Sequence, residues 1–182
     1  IIDLPQANLN CVRAGITMYG MYPSEEVQKD KVPLKPALGL KSFVTYVKEL
    51  GPGEEISYGG TYVTERTMRI ATVAVGYGDG YPRSLSNCGY VLICGKRARI
   101  LGRVCMDQIM VDVTDILEAD VDTPVTLIGK DGDEEITMEH LAELCGGFHY
   151  EMVCDIGKRV PRVYYRGGKA FEVLILEGEV SD

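Results

Sequence analysis

The sequence predicts a mainly β fold with one or two short helices. Three observations support this prediction. Apolar segments with β-branched and aromatic residues recur from residue 38 onward, glycine-containing turns separate them, and only the stretch at residues 137–147 carries a full set of helical signals. With 182 residues, the chain can bury a sizeable core without disulfides or metals.

The segment before residue 38 differs from the rest of the chain. Residues 12–23, VRAGITMYGMYP, form an apolar run that is interrupted by glycines and closed by a proline, which predicts the end of a buried strand and its loop. A polar stretch follows at residues 24–35, close to Pro33 and Pro36. We therefore expect a domain boundary near these two prolines.

Two strands are predicted in the first part of the β region. Residues 38–50, LGLKSFVTYVKEL, are typical of a strand, and the turn Gly51-Pro52-Gly53 ends it. Residues 69–75, RIATVAV, are almost continuously apolar, which predicts a strand that is covered on both faces.

Hairpins and shorter strands are predicted farther along. The segments YVLIC and RARILGRV flank Gly95-Lys96, which indicates a hairpin turning at these residues. Residues 108–113, QIMVDV, alternate as a strand does, and another strand is expected at residues 124–128. Near the end, RVPRVYYRGGKAFEVLIL predicts an edge hairpin that turns at Gly167-Gly168.

Helical signals cluster in one region. Thr137 can cap the start of a helix that has Glu139 in its first turn, and Gly146-Gly147 can end it. A second short helix is expected over residues 150–156, ending at Gly157.

Two tyrosine-containing turns are the most informative local feature. SYGGT at residues 57–61 and VGYGDGYPR at residues 75–83 each set a tyrosine among glycines. Glycine permits left-handed backbone angles there and leaves the phenol uncovered. On the residues alone, two interpretations stay open: hairpin turns that carry aromatic caps, or phenols presented to a functional site.

Composition excludes several classes of function. A net charge of -8 and a pI near 4.9 argue against nucleic-acid binding, and no stretch is long and apolar enough to span a membrane. Six cysteines without CxxC spacing predict reduced core thiols in a cytoplasmic protein. Because the chain has only His140 and His149, no metal site is expected. The acidic pairs Glu54-Glu55 and Glu134-Glu135 are expected in exposed turns.

Catalytic motifs of the common hydrolases are absent from the sequence. The two histidines lie close together and no GxSxG segment occurs, so a Ser-His-Asp arrangement is not expected. GYGDG lacks the GxGxxG spacing, and Asp79 would repel a phosphate. Tyrosines and arginines remain as candidates, because positive charge or hydrogen bonds can lower the pKa of a phenol. Arg13, Arg83 and Arg103 each lie next to glycines or turn residues.

Five motifs then point to one family. VRAGITMYG, SYGGT, VGYGDGYPR, GRVCMDQ and YEMVCDIGKRVPR occur here in the order and spacing found in the bacterial alanine racemases, which depend on pyridoxal 5'-phosphate. The chain resembles that family from about residue 4 to residue 165. The resemblance implies that residues 1–33 are the tail of an N-terminal (β/α)8 barrel and that residues 34–182 are the C-terminal β domain. It also implies that the chain is a C-terminal fragment.

The resemblance implies a set of cofactor contacts. Arg13 would face the pyridine nitrogen and, because a guanidinium does not readily give up a proton, would keep that nitrogen unprotonated. Gly15 and Ile16 would offer backbone amides to the cofactor phosphate. The Tyr150 hydroxyl would touch the same phosphate, and its ring would narrow the pocket.

The resemblance also implies roles toward the substrate. Tyr58 matches the family's base, which reaches the partner subunit's site in a homodimer and exchanges a proton on the L-alanine face. The backbone amide of Met106 would hold the substrate carboxylate, although a methionine beside Cys105 on a strand would also be typical of core filling. Three residues would line the substrate entryway: Tyr77, Arg83 and Arg103.

The implied function is the interconversion of L- and D-alanine for peptidoglycan synthesis. The second base of the family is a lysine that leads into an Ala-Tyr-Gly-His run, and no segment here matches it. We therefore expect the fragment to be inactive, and to be a monomer or to self-associate weakly. Two alternatives stay open: a noncatalytic pairing or regulatory β module, or a racemase for serine or another amino acid. The small pocket implied by Tyr150 favours alanine.

Overall fold

The structure is a computed structural model that describes residues 1–175. The chain forms two compact units, Ile1–Leu40 and Lys41–Asp182. Residues 176–182, which the sequence assigns to the β domain and to the end of its last hairpin, lie outside the described range.

The first unit contains 3₁₀ turns at Pro5–Ala7, Gly15–Tyr19 and Lys29–Lys31. The prediction that residues 12–23 contain the end of a buried strand is therefore wrong, whereas the loop is present. Gly15 and Gly20 have φ angles of +60° and +79°, and they lie at the two ends of the turn Gly15–Tyr19. Ile16 and Met21 are buried. Gly20 is required, because a Cβ there would stand 1.7 Å from the Lys35 carbonyl oxygen.

The second unit is built on strands, which confirms the mainly β prediction. In chain order they are β1 (Leu40–Leu50), β2 (Glu55–Ile56), β3 (Tyr62–Val63), β4 (Met68–Val73), β5 (Tyr90–Ile93), β6 (Lys96–Arg99), β7 (Ile109–Asp112), β8 (Pro124–Asp131), β9 (Glu134–Ile136), β10 (Arg162–Arg166) and β11 (Lys169–Leu174). Seven of them form one sheet in the order β6-β5-β8-β1-β4-β7, with β9 paired to β8. β2 pairs with β3, and β10 pairs with β11.

The core lies against the central strands of this sheet. β4 is hydrogen-bonded to β1 on one side and to β7 on the other, antiparallel to both. Neighbouring residues of a strand point to opposite faces, and both Ile70 and Ala71 are fully buried. The prediction that this strand is covered on both faces is therefore confirmed for its middle, at Ile70 and Ala71.

The β5–β6 hairpin turns one residue earlier than predicted. Ile93 pairs with Lys96, so the turn is Cys94-Gly95 and not Gly95-Lys96. Both turn residues have positive φ angles, 52° and 72°, as a type I′ turn requires. That turn matches the right-handed twist of the strands, which explains why the structure accepts a cysteine at a left-handed position.

Three short strands were not predicted. β2 and β3 contain two residues each and β9 contains three, which is too few for a period-two pattern to be recognised. Glu55 and the pair Glu134-Glu135 therefore lie in strands, not in turns. β8 also runs beyond the predicted residues 124–128 and turns at Gly132, which has a φ of +61°, to form β9.

Two helices follow the sheet. α1 (Met138–Cys145) begins and ends where predicted: the Thr137 hydroxyl oxygen accepts a hydrogen bond from the His140 amide at 3.1 Å, and Gly146 is left-handed. α2 (His149–Asp155) lies one residue earlier than predicted. The last hairpin turns at Gly167-Gly168 as predicted.

The cysteines contradict the prediction of core thiols. Cys105 is buried and Cys145 is half-buried, whereas the other four are exposed: Cys11, Cys88, Cys94 and Cys154. Cysteine is small enough to occupy turns and helix surfaces, so its usual burial does not decide each position. Within residues 1–175, no group of three or more His, Cys, Asp or Glu side chains could hold a metal ion. No helix in the same range is long and apolar enough to cross a membrane.

Candidate functional site

The first tyrosine turn, SYGGT, is the loop of the β2–β3 hairpin. Ile56 pairs with Tyr62, and residues Tyr58–Gly60 make a 3₁₀ turn between them. Gly59 and Gly60 both have positive φ angles, 74° and 53°, which allows the tight turn. The Tyr58 side chain remains 72% exposed. The hairpin interpretation of this turn is therefore confirmed, and its phenol is exposed.

Ser57 holds the loop in a strained conformation. Its φ of 65° and ψ of -176° fall in a region that is occupied almost only by glycine. The Ser57 hydroxyl donates a hydrogen bond to the Arg103 carbonyl at 2.7 Å and lies 3.4 Å from the Cys105 sulfur. Backbone strain of this kind persists only where the surroundings fix it, so the position of Tyr58 is determined by these contacts.

Gly102 lets the neighbouring segment approach this loop. A Cβ on Gly102 would stand 2.5 Å from the Ile56 carbonyl oxygen and 2.7 Å from the Ser57 Cβ. The next residue, Arg103, is exposed, and its guanidinium lies against Gly59, 3.8 Å from where a Cβ would be. A positive charge is thereby placed beside the loop that carries Tyr58.

The second tyrosine turn is not a hairpin. Residues Tyr77–Asp79 form a 3₁₀ turn between β4 and β5, which do not pair with each other. The turn instead docks on the segment after Arg103: the Tyr77 amide donates to the Cys105 carbonyl at 3.0 Å and the Gly78 amide to the Met106 carbonyl at 2.8 Å. The hairpin interpretation of VGYGDGYPR is therefore wrong.

Two tyrosines of this turn have opposite environments. Tyr77 is 43% exposed, whereas Tyr81 is almost fully buried. The Tyr81 hydroxyl has no hydrogen-bond partner among the described residues, and burial raises the pKa of this phenol above its usual value. A raised pKa disfavours the phenolate form, so Tyr81 is a core residue and not a candidate base.

Met106 lies in a bend between β6 and β7, not on a strand, and its side chain is 54% exposed. The core-filling alternative for this side chain is therefore wrong. A Cβ on Gly76 would stand 2.3 Å from the Met106 carbonyl oxygen. Within residues 1–175 the Met106 amide makes no hydrogen bond.

Arg83 lies shortly after the Tyr77 turn, and Tyr150 lies in α2. Arg83 is exposed, and its carbonyl accepts a hydrogen bond from Ser86, whose hydroxyl oxygen accepts one from the Val104 amide at 3.0 Å. Tyr150 is half-buried in the first turn of α2 and stacks on Phe148 with ring centroids 4.6 Å apart. The region after α2 reaches the Tyr77 turn, since the Gly157 amide donates to the Asp79 carbonyl at 2.8 Å.

Arg159 was not recognised as part of this region from the sequence. Its Nε donates to the Asp79 carboxylate at 2.8 Å, and a terminal nitrogen donates to the Asp107 carboxylate at 2.6 Å. These hydrogen bonds raise the pKa of the Arg159 guanidinium, and the bond to Asp107 has a larger effect than the bond to Asp79. Arg159 belongs to the motif YEMVCDIGKRVPR, but its partners are far away in the sequence and no local signal identifies them.

A cleft of about 390 Å³ opens beside the Tyr58 loop. It lies on the sheet face formed by β1, β4 and β7, with Tyr46, Lys48, Thr72 and Gln108 among its lining residues. Tyr58 therefore borders a recessed surface of a size that is common for binding sites.

Three predicted residues lie in the first unit. Arg13 and Gly15 are exposed, whereas Ile16 is buried at the start of the 3₁₀ turn. The φ of +60° at Gly15, with no atom within 4 Å of the position of a Cβ, leaves its backbone open. The other predicted residues lie in the second unit. The residue before Tyr58, Ser57, donates to the Arg103 carbonyl and the Tyr77 amide donates to the Cys105 carbonyl, and Met106 follows in the same segment.

A family model for the C-terminal domain of alanine racemase matches residues 37–164. The chain belongs to the alanine racemase family. The alanine racemase of Desulforamulus reducens is 50% identical over 164 residues, which cover 90% of this chain and 44% of that protein. Alanine racemase 1 of Clostridium acetobutylicum is 44% identical over 173 residues, which cover 95% of this chain and 45% of that protein.

Solved alanine racemases have the same fold in the matched part. The enzyme from Clostridium difficile 630 superimposes with a TM-score of 0.89 at 41% identity, covering 96% of this chain and 45% of that one. The enzyme from Bacillus anthracis, solved with bound L-Ala-P, gives a TM-score of 0.83 at 44% identity over 88% of this chain and 41% of that one. The chain thus spans less than half of the alanine racemases that it matches. The resemblance predicted from the five motifs is confirmed.

Proposed function

We propose that this chain forms the C-terminal part of a pyridoxal-phosphate-dependent racemase that interconverts L- and D-alanine, with Tyr58 as one of its two bases. The observation that carries the proposal is the geometry of the Tyr58 loop. An exposed phenol is held on a strained backbone by Ser57 and Gly102, with the Arg103 guanidinium beside it. A structural tyrosine has no need of such a fixed and uncovered position.

Racemisation requires a proton to leave one face of the α-carbon and another to arrive on the opposite face. We assign the face of L-alanine to the Tyr58 hydroxyl. The Arg103 guanidinium lies against the same loop. The opposite face requires a second base, for which the family uses a lysine. The 182 residues contain no Lys-Ala-Tyr-Gly-His segment, so we expect the chain alone to be inactive.

The residues of the first unit fit pyridoxal 5'-phosphate. A phosphate is bound by backbone amides that it can approach closely, and Gly15 leaves open space where a side chain would stand. Arg13 is exposed two residues earlier. We propose that Gly15 and Ile16 hold the phosphate through their amides and that Arg13 faces the ring nitrogen. When bound, the cofactor withdraws electrons from the α-carbon, and Arg13 moderates this effect. In the second unit, Tyr150 is proposed to contact the phosphate.

The substrate would be held by groups of the second unit. The Met106 amide is unbonded within the described residues, which suits the carboxylate of an amino acid. Tyr77 and the guanidinium groups of Arg83 and Arg103 are proposed to line the entryway. Tyr150, stacked on Phe148, would narrow the pocket and favour alanine over serine and larger amino acids.

The remaining parts of the proposal follow from the family. Residues 1–33 would be the end of a (β/α)8 barrel and residues 34–182 the β domain, in an enzyme that works as a homodimer. Tyr58 would then serve the partner's active site. We propose that this enzyme acts in the cytoplasm and supplies D-alanine for peptidoglycan.

Replacing Tyr58 by phenylalanine in the full-length protein tests its role. L- and D-alanine have equal free energies, so kcat/KM must fall equally in both directions, by roughly 10²- to 10⁴-fold for the loss of one base. The assignment to one face appears in isotope exchange. With a deuterated solvent, the variant should still exchange the α-hydrogen of D-alanine but not that of L-alanine.

Tyr62→Phe is the matched control, because Tyr62 lies in the same hairpin with its hydroxyl directed at the Met68 sulfur. It should racemise at the wild-type rate. Exchange of L-alanine by Tyr58→Phe at the wild-type rate would exclude Tyr58 as the base.

A full-length protein that neither binds the cofactor nor racemises any amino acid would favour the noncatalytic module. Preference for serine in an amino-acid panel would change the assigned substrate.

A further inference from the structure

Arg159 joins two acidic residues that lie next to the proposed substrate contacts. Asp79 follows Tyr77 by two residues, and Asp107 follows Met106 directly. Arg159 binds one carboxylate at 2.8 Å and the other at 2.6 Å, with separate nitrogens of its guanidinium. The planar guanidinium suits such a bridge, because its donors point in fixed directions.

The guanidinium also lies where the two segments meet. A Cβ on Gly78 would stand 2.7 Å from a terminal nitrogen of Arg159 and 3.0 Å from the Met106 carbonyl oxygen. Gly78 is the residue whose amide bonds to that same carbonyl at 2.8 Å. Arg159 therefore packs directly on the contact that docks the Tyr77 turn onto Met106.

The positive charge of Arg159 has a second effect, on the binding of the substrate carboxylate. An amino acid substrate approaches Met106 with its own carboxylate, and Asp107 places a negative charge on the adjacent residue. Like charges repel, and the repulsion weakens with ionic strength. The bond from Arg159 to Asp107 offsets this negative charge at the place where the substrate carboxylate is proposed to bind.

We propose that Arg159 is a positioning residue for the racemase: it holds the Tyr77 turn against Met106 and offsets the charge of Asp107 beside the carboxylate contact. The second part rests on the proposed function, whereas the first does not. The two parts are tested by different measurements in the full-length protein.

Hydrogen exchange tests the positioning. In Arg159→Gln, a peptide that covers residues 76–80 should exchange its amide hydrogens on the order of tenfold faster. The reason is that the carbonyl groups that accept hydrogen bonds from the Tyr77 and Gly78 amides are no longer held in place. Arg97→Gln is the matched control, since Arg97 makes a comparable exposed ion pair with Glu134 at 2.7 Å in β6. Exchange in residues 76–80 that is unchanged in Arg159→Gln, or equally faster in both variants, would overturn the positioning role. This readout requires no enzyme activity.

Kinetics at two ionic strengths test the charge effect. Arg159→Gln should raise the KM for alanine on the order of tenfold with a smaller change in kcat, and added salt should reduce this defect. The double variant Arg159→Gln with Asp107→Asn should recover most of the KM. Asp107→Asn alone should lower the KM at low salt only. A KM that rises in Asp107→Asn, or that does not recover in the double variant, would contradict the charge effect. A parent without racemase activity would instead refute the proposed function and leave the exchange result standing.

Discussion

Replacing Gly102 by alanine should disrupt the contact that holds the Tyr58 loop. Gly102 has a φ of +74°, and an added Cβ would stand 2.5 Å from the Ile56 carbonyl oxygen. It would also stand 2.7 Å from the Ser57 Cβ. Real Cβ atoms do not approach backbone oxygens this closely, and the carbonyl oxygen belongs to a strand. The strand end and Ser57 must therefore move.

The expected cost has two parts. A non-glycine residue in the left-handed region costs about 1–2 kcal/mol. Forcing an extra carbon into a packed site costs about 1–3 kcal/mol more. Gly146→Ala is the matched control, because Gly146 has a φ of +63° with nothing within 4 Å of its Cβ position, so that only the first cost applies. Gly102→Ala should therefore be about 1–3 kcal/mol less stable than Gly146→Ala.

Equilibrium unfolding in urea, followed by far-ultraviolet circular dichroism, measures this difference in the 182-residue chain. The proposed racemase activity of the full-length protein should also fall more in Gly102→Ala than in Gly146→Ala, because Ser57, which must move, directly precedes Tyr58. Equal unfolding free energies for the two variants would refute the reasoning, since they would mean that the segment relaxes without cost and does not hold the loop.

Three further predictions concern stability and are checked by the same unfolding measurement. Ser57→Gly should be about 1 kcal/mol more stable than Ser57→Ala, because both lose the hydrogen bond to Arg103 but only glycine accepts the backbone angles; the reverse order would contradict the strain. Thr137→Ala should lose about 1 kcal/mol with the helix cap, and an unchanged free energy would exclude the cap. Tyr81→Phe should be as stable as the wild type or more stable, by up to about 2 kcal/mol, because it removes a buried hydroxyl without a partner in the described residues.

The Tyr81 variant also has a pH signature. Burial raises the folded-state pKa of Tyr81 above the unfolded value of about 10. The unfolded chain therefore ionises first, and the contribution of this group to stability is present below pH of about 10 and lost above it. Tyr81→Phe should lose less stability than the wild type as the pH rises above about 10. Identical slopes for the two proteins would contradict the burial of this phenol.

Much of the fold could be predicted because its signals are local. The Thr137 cap of α1 and the glycine that ends it, Gly146, lie within ten residues of each other. Two adjacent residues, Gly167 and Gly168, are sufficient to predict the turn of the last hairpin. The strands over Leu40–Leu50 and Met68–Val73 carry long apolar patterns. The segment at Gly15–Tyr19 could not be assigned in this way, because an apolar run suits a buried strand and a packed turn equally well.

The features of the candidate site that could be predicted are also local ones. Glycines next to Tyr58 and Tyr77 are visible in the sequence, and they were sufficient to predict two exposed phenols on turns. The motifs were sufficient to identify the family, because five short segments in one order carry more information than any pattern of hydrophobicity. These features depend on residues that are neighbours in the chain.

Only the folded structure shows that one tyrosine turn is a hairpin loop and the other a docked 3₁₀ turn. It also shows that the Met106 side chain is exposed. It also brought Arg159 to Asp79 and Asp107, which are 80 and 52 residues away in the sequence. A carboxylate gives no local sign of which guanidinium it will meet. Such pairs are decided by strand order and by the close approach that Gly76, Gly78 and Gly102 permit, and both exist only once the sheet has formed.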